Sequence, residues 1–214
     1  MATPIIHGPA YSTYTRTARL ALEEKGVAYQ LDEVDMLAGA TQKPDHLARQ
    51  PFGKVPAFTH DDLSLYETAA IARYADEAFP GPKLQPADVK RRARMMQIIS
   101  IIDSYAYGSC IGKVVWQRVV TPLLGGEPDD KVVADAMPLV ETSIAALEKA
   151  ADPSGPFLCG AEISLADLHL APVMDYFSQT PEGKKVLAGA PRLSRWWQAM
   201  SARPSVAKTR PKLG

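Results

Sequence analysis

G-K-V-P-A-F-T-H-D-D-L-S-L-Y-E-T-A-A-I-A-R-Y, residues 53–74, is the stretch from which the fold can be read. Val55-Pro56 opens it. Ala57 to Thr59 and Leu63 to Tyr66 are short runs suited to strands, and His60-Asp61-Asp62 between them has the composition of a tight turn. Glu67 and Thr68 then open a helix to Ala78 in which Ile71, Tyr74, Ala75 and Ala78 share one stripe. A hairpin feeding directly into an amphipathic helix is expected here.

Upstream, Pro4-Ile5-Ile6-His7 is a short apolar run stopped by Gly8-Pro9, the pattern of a buried strand and a loop. In A-Y-S-T-Y-T-R-T-A-R-L-A-L-E-E-K-G (10–26), Tyr14, Ala18, Ala21 and Leu22 fall at helical spacing. Arg16, Arg19, Glu23 and Glu24 lie mostly opposite. Ser12 or Thr13 is the expected N-cap, and Gly26 the stop. Ala28 to Val34 alternates as a strand, which completes a βαβ unit. Residues 36–50 are polar, a loop with one short helix.

Downstream, Phe79-Pro80-Gly81-Pro82-Lys83-Leu84-Gln85-Pro86 holds three prolines and a glycine and is the best linker in the chain. Beyond it no convincing strand occurs. Met95, Ile98, Ile99, Ile102, Tyr105 and Ala106 form one helical stripe. Val132, Val133, Ala136, Leu139, Val140, Ile144 and Leu147 form another, with Pro138 inside it expected to kink the helix. Thr121 to Asp130 is turn-rich and separates the two. In Ile163-Ser164-Leu165-Ala166-Asp167-Leu168, Ser164 and Asp167 have capping-box spacing, and Ile163 and Leu168 that of a hydrophobic staple. A late helix starts near Pro191 and carries Leu193, Trp196, Trp197 and Met200. The expected division is an α/β domain at 1–79, a linker at 80–87 and an all-α domain at 88–214.

The chain has 214 residues, 46% of them hydrophobic, with 24 basic against 24 acidic side chains, so no basic excess points to nucleic acid. The run Lys90-Arg91-Arg92 with Arg94 reads as a solvated helix start. No apolar run approaches a membrane span, and the N-terminus lacks the regions of a signal peptide. Cys110 and Cys159 are far apart and form no C-x-x-C pair, and the four histidines have no metal-ligand spacing. A cytosolic protein that binds neither metal, membrane nor nucleic acid is expected.

The order βαβ, short helix, ββ, α is that of the thioredoxin-like fold. Together with V-P-A-F…L-Y-E-T-A-A-I at 55–71 and the capping box at 163–168, nearly the whole chain resembles the glutathione transferase superfamily. Residues 10–26 look most like its serine-type enzymes, the phi class and bacterial relatives. The resemblance implies a two-domain enzyme, a homodimer, with glutathione as cosubstrate, a hydrophobic electrophile as second substrate and no metal or redox cofactor.

The chemistry of the residues agrees. A helix N-terminus suits the γ-glutamyl carboxylate of glutathione. Thr68 adds a hydroxyl there and Glu67 can pair with the ammonium; the plainer role for both is capping. In this fold the Val55–Pro56 bond is cis, which leaves the Val55 main chain able to pair with the cysteinyl part of glutathione like a strand edge. Lys54 and Lys43 are candidates for the glycyl carboxylate, with Gln42 and Thr41 weaker; related enzymes often carry Gln where Lys54 stands. Phe52 is either a key inserted into a partner subunit or a residue packed in its own domain.

Catalysis needs a thiolate, and a cysteine-type thiol with pKa about 8.5 is mostly protonated at neutral pH. A hydroxyl donor at a helix N-terminus lowers that value. Ser12 ranks first for this role, Tyr11 second and Thr13 third. Arg16 either tunes the charge of the site or holds the helix. Tyr11, Tyr14, Tyr105, Cys110, Trp116 and Gln117 are candidates for the acceptor pocket. With no cysteine before Cys110, thiol–disulfide exchange is disfavoured. Two rivals stay open: the same thiolate could serve isomerisation or reductive dehalogenation, although the S-S-C-type start of zeta-class isomerases is missing, or the fold could be a non-catalytic scaffold.

Overall fold

A computed structural model describes residues 2–211 and divides them into two compact units, one of residues 2–84 and 203–211, the other of 85–202. In the first, β1 (Ile5–His7), β2 (Gln30–Asp32), β3 (Ala57–His60) and β4 (Leu63–Tyr66) form one sheet in the order β2-β1-β3-β4. β1 runs parallel to β2 and antiparallel to β3, and β3 and β4 make the expected hairpin around a left-handed Asp61 with φ 51°. Ile6 and Phe58 are register partners and fully buried. Helix α1 (Thr13–Lys25), a single turn α2 (Pro44–Leu47) and α3 (Thr68–Ala78) complete this fold. This is the thioredoxin-like arrangement read from the sequence.

Ser12 caps α1, and Gly26 ends it in the left-handed region at φ 69°. The amphipathic pattern misplaces one residue. Arg16, expected on the outer face, has no exposed surface. α1 is covered by β1 and α3 and also by a C-terminal helix, so it has more than one inner face. That last helix (Pro204–Thr209), counted from sequence with the all-α domain, packs on α1 instead. Arg203 bonds to Glu24 at 2.9 and 2.5 Å, and Lys208 to Glu23 at 2.8 Å. At the end of α1, Lys25 is buried and donates to the Asp76 carboxylate at 3.2 Å, the Asp76 carbonyl at 3.0 Å and the Pro82 carbonyl at 2.9 Å. The charge is thus paired and fully hydrogen-bonded, as burial requires.

The second unit is helical: α4 (Val89–Leu123), α5 (Asp130–Ala150), α6 (Leu165–Phe177), α7 (Pro181–Ala188) and α8 (Pro191–Ser201). Within α4, Ile102–Val120 is wound with i→i+5 hydrogen bonding. The wider turn breaks the expected stripe: Ile102, Ala106, Cys110 and Val114 face inward, and Tyr105 is 54% exposed. Contrary to the sequence expectation, this helix is by length and composition long and apolar enough to cross a membrane, with mean hydropathy 1.2 over its most apolar window. Interspersed polar residues hide it as an apolar run; here it packs against α5 and α6 within the unit. α5 continues through Pro138, whose side chain is exposed.

Every residue of α6 is buried, so it is the core helix of the unit. His169 on it has its Nδ1 2.7 Å from the Leu165 carbonyl, while Nε2 is buried with no hydrogen-bond partner among the described residues. Burial holds this imidazole below its ordinary 6.5, outweighing the Leu165 carbonyl and the Asp103 charge. The unfolded chain therefore takes up this proton first, and stability falls as pH drops below about 6.5, with a limiting slope of about 1.4 kcal/mol per pH unit. Denaturant titrations of wild type and His169→Gln between pH 7.5 and 5 check this: the variant is expected to lose that slope, and identical slopes would refute it.

Candidate functional site

In the first unit the loop from β1 to α1, the loop before β3 and the start of α3 converge. Gly8 marks the first meeting point. A Cβ there would lie 2.4 Å from Thr15 Oγ1 and 3.2 Å from Val55 Cβ, so only glycine allows this approach. Thr15 belongs to the first turn of α1 and its N–H donates to Ser12 Oγ at 3.4 Å. Ser12 and Val55 are thereby brought to the two sides of Gly8. Ser12 is half-buried, Thr13 is buried, and Tyr11 is 38% exposed. Ala10 N–H donates to Glu33 at 3.1 Å, which ties this loop to the end of β2. Burial, with Asp35 and Glu33 nearby, pushes the Tyr11 phenol above its ordinary value, so it stays protonated and can only donate or accept as a neutral group.

The Val55–Pro56 bond is cis. Neither N–H nor C=O of Val55 makes a protein hydrogen bond among the described residues. Two buried side chains, which sequence patterning misses, hold this loop. Gln50 Oε1 accepts from Phe52 N–H at 2.7 Å and Lys54 N–H at 3.1 Å, and His46 Nε2 bonds the Lys54 carbonyl at 2.7 Å. A usable signal exists: His46 and Gln50 are polar residues just before a Pro-Phe-Gly turn in which Gly53 N–H to the Gln50 carbonyl is the one main-chain bond among the described residues, so other main-chain groups there need side-chain partners. The Gln42 side chain packs over Gly53 (φ 62°), where a Cβ would lie 2.2 Å from Gln42 Nε2, so Gln42 and its neighbours Thr41 and Lys43 adjoin the loop. The side chains of Lys43 and Lys54 are exposed, while Thr41 is buried.

At the third arm, Glu67 has φ 69° and ψ 112°, a left-handed conformation that a non-glycine side chain resists, and its side chain makes no capping bond. The α3 N–H groups of Thr68, Ala69 and Ala70 have no protein partner among the described residues; the first helical bond is Ile71 N–H to Glu67 C=O at 3.0 Å. The capping role for Glu67 therefore falls away, and the helix start is left open to an anion. Phe52, 66% exposed, meets Tyr66 edge-on at 6.0 Å, which brings the Lys54 loop beside Glu67. This arm also joins the β3–β4 hairpin to the cluster.

The candidates for the acceptor pocket separate. Tyr14 is half-buried on α1. In the second unit Tyr105 and Trp116 are 54% and 46% exposed on α4. Cys110 is a core residue with no exposed surface, its thiol pushed up to about 12 by burial. Gln117 Oε1 is occupied by Asp129 N–H at 2.8 Å, so it holds the turn into α5. No group of three or more metal-ligating side chains occurs among the described residues.

Comparison with known proteins matches two family models, "Glutathione S-transferase, N-terminal domain" over residues 10–77 and "Glutathione S-transferase, C-terminal domain" over 96–204. Probable glutathione S-transferase GSTF1 of Oryza sativa subsp. japonica is 32% identical over 212 residues, 96% of this chain and 95% of its own. Among solved structures, glutathione transferase F7 from Populus trichocarpa superposes with a TM-score of 0.85 at 31% identity, covering 97% of each chain. Glutathione S-transferase I from maize, in complex with an atrazine glutathione conjugate, gives 0.82 at 29% identity over 97% of this chain and 96% of its own.

Proposed function

This chain belongs to the glutathione S-transferase family, and on that premise we propose how it works as a glutathione transferase: its first unit binds glutathione, Ser12 holds the thiol as a thiolate, and that sulfur attacks a hydrophobic electrophile. The plant relatives that it matches are phi-class enzymes, the serine type. The observation that carries the residue assignments is the open main chain of Val55 and of the α3 start. Val55 takes the cysteinyl amide, the Thr68–Ala70 N–H groups and the Thr68 hydroxyl take the γ-glutamyl carboxylate, and Glu67 takes the ammonium. Lys54 and Lys43 meet the glycyl carboxylate. No metal enters this scheme.

Calorimetry with glutathione beside conjugation assays on a panel of aryl halides, enals and isothiocyanates tests the scheme. Binding with turnover supports it; binding without turnover on any electrophile replaces it with the scaffold reading. Glu67→Ala is expected to weaken glutathione binding about tenfold or more, through a lost charge-assisted bond, with kcat at saturation within about threefold. A fall in kcat with unchanged affinity would remove Glu67 from the binding role.

Tyr11, Tyr105 and Trp116 remain as acceptor-side candidates because each presents an exposed aromatic surface. A homodimer keyed by the exposed Phe52 belongs to the same reading. Sedimentation velocity of wild type and Phe52→Ala decides it: a dimer that dissociates in the variant supports the key, and a monomeric wild type removes it. Two free, buried cysteines suit a reducing cytosol.

A further inference from the structure

Lys90, Arg91 and Arg94 form a basic run on α4 that the transfer reaction leaves unused. The second unit arranges them around a cavity of about 340 Å³ that Lys149, from the last turn of α5, and Arg192, from the first turn of α8, also line. Five cationic side chains thus face one cavity against a single carboxylate, Asp152, in a chain whose total charge is zero. None of the five belongs to an ion pair among the described residues.

The cavity is preorganised. Arg192 Nη1 donates to the carbonyls of Glu148 and Ala151 at 3.3 and 3.4 Å, which fixes the guanidinium and leaves its other N–H groups without partners among the described residues. Asp152 Oδ1 accepts from Ser154 N–H and Oγ at 2.8 and 2.5 Å, which with the Arg91 charge holds its carboxyl below the usual range, and this one negative charge leaves the five cations in excess. Gly160, at φ 122°, separates Arg91 from Asp152: a Cβ there would lie 3.4 Å from Arg91 Nη1 and 3.6 Å from Asp152 Oδ2. A second cavity of about 260 Å³ shares Ala151, Asp152, Leu158 and Arg192 with the first and is walled by Phe157 and Trp196.

We propose that this cleft binds a small phosphate-bearing molecule with an aromatic ring, the chemistry of a nucleotide. Phosphate oxygens suit the guanidinium forks of Arg91 and Arg192 and the ammonium groups of Lys90 and Lys149. The ring lies against the half-buried Phe157. The two cavities together reach the size range of small-molecule sites, roughly 300–1,000 Å³.

Calorimetry of the full chain with ATP, tripolyphosphate and adenosine, at about 50 mM salt to limit screening, tests this. ATP and tripolyphosphate are expected to bind, ATP about threefold tighter or more for its ring. The double variant Arg91→Ala/Lys149→Ala should lose about tenfold or more in ATP affinity for two charge-assisted contacts. Both residues are exposed and neither enters the glutathione scheme, so an unchanged conjugation rate certifies that the variant is folded. No binding of ATP at about 1 mM, a range set by weak phosphate contacts, would overturn the proposal. So would undiminished binding in the double variant, which places the ligand elsewhere, including the glutathione site. Equal affinity for ATP and tripolyphosphate would overturn the nucleotide assignment.

Discussion

Ser12→Ala is expected to lower kcat for conjugation by about 10- to 100-fold while glutathione affinity stays within about threefold, the loss of one hydrogen bond to a charged group. Ser12 Oγ already accepts from Thr15 N–H, and this does not compete with the proposed role. A hydroxyl has two lone pairs and one O–H, so Ser12 can cap α1 with a lone pair and donate its proton to sulfur. The open end of α1 adds a favourable dipole for the thiolate. Below the pKa of the bound thiol, the thiolate fraction falls tenfold per pH unit. Losing the donor raises that pKa, so the acid limb of the kcat profile, which reports the bound complex, should move up by about one to two pH units. Above the new pKa the two enzymes should converge. Ser12→Thr keeps both the cap and the O–H and is expected to retain most of the activity. The rival is Tyr11, whose raised phenol is also a neutral donor. An unshifted profile in Ser12→Ala, with collapse in Tyr11→Phe, would transfer the role to Tyr11.

Residues 53–74 were legible because each step there is local. A Val-Pro, a two-residue acidic turn and a helix-opening Glu-Thr have their meaning within a few positions, and the structure has the hairpin and α3 at those places. The capping box at Ser164 and Asp167 was legible for the same reason. What escaped depends on long-range packing. Arg16 sits at an outward position of α1 only if one face of that helix is covered, and the C-terminal helix covers another. Tyr105 turns outward because α4 does not keep a 3.6-residue period through Ile102–Val120. Gln50 and His46 hold the Lys54 loop through bonds to its main chain, and no periodicity records a main chain that lacks partners. At the site, the strand edge and helix end proposed to receive glutathione could be assigned by chemistry. The acceptor residues could not: burial of Cys110 and the bond from Gln117 to Asp129 N–H appear only once the helices are packed.

Asp167→Ala is expected to destabilise the second unit by about 3–5 kcal/mol, the cost of removing one side of a buried charged network. The carboxylate is fully buried and accepts four hydrogen bonds. Oδ1 takes Leu158 N–H and Trp196 Nε1–H, both at 2.8 Å, and Oδ2 takes Ser164 N–H and Oγ, both at 2.7 Å. One side chain thereby closes the start of α6, anchors the loop before it and fixes α8 through its tryptophan. Burial pushes this carboxyl above the usual range, and the four donors pull it back, which is why the same donors become a liability once it is gone. Alanine leaves three N–H groups in a site that water must enter or the helices must leave. Asp167→Asn separates charge from geometry. Its amide oxygen can still serve Leu158 and Trp196, but its NH₂ then opposes the Ser164 N–H, donor against donor, so a loss of about half that of alanine is expected. Urea unfolding followed by tryptophan fluorescence reads both variants, with Trp196 as the internal reporter. A loss below about 1 kcal/mol in Asp167→Ala, the size of an ordinary cap deletion, would reduce Asp167 to a helix cap and return the joining of α6 to α8 to apolar packing around Leu168 and Leu193.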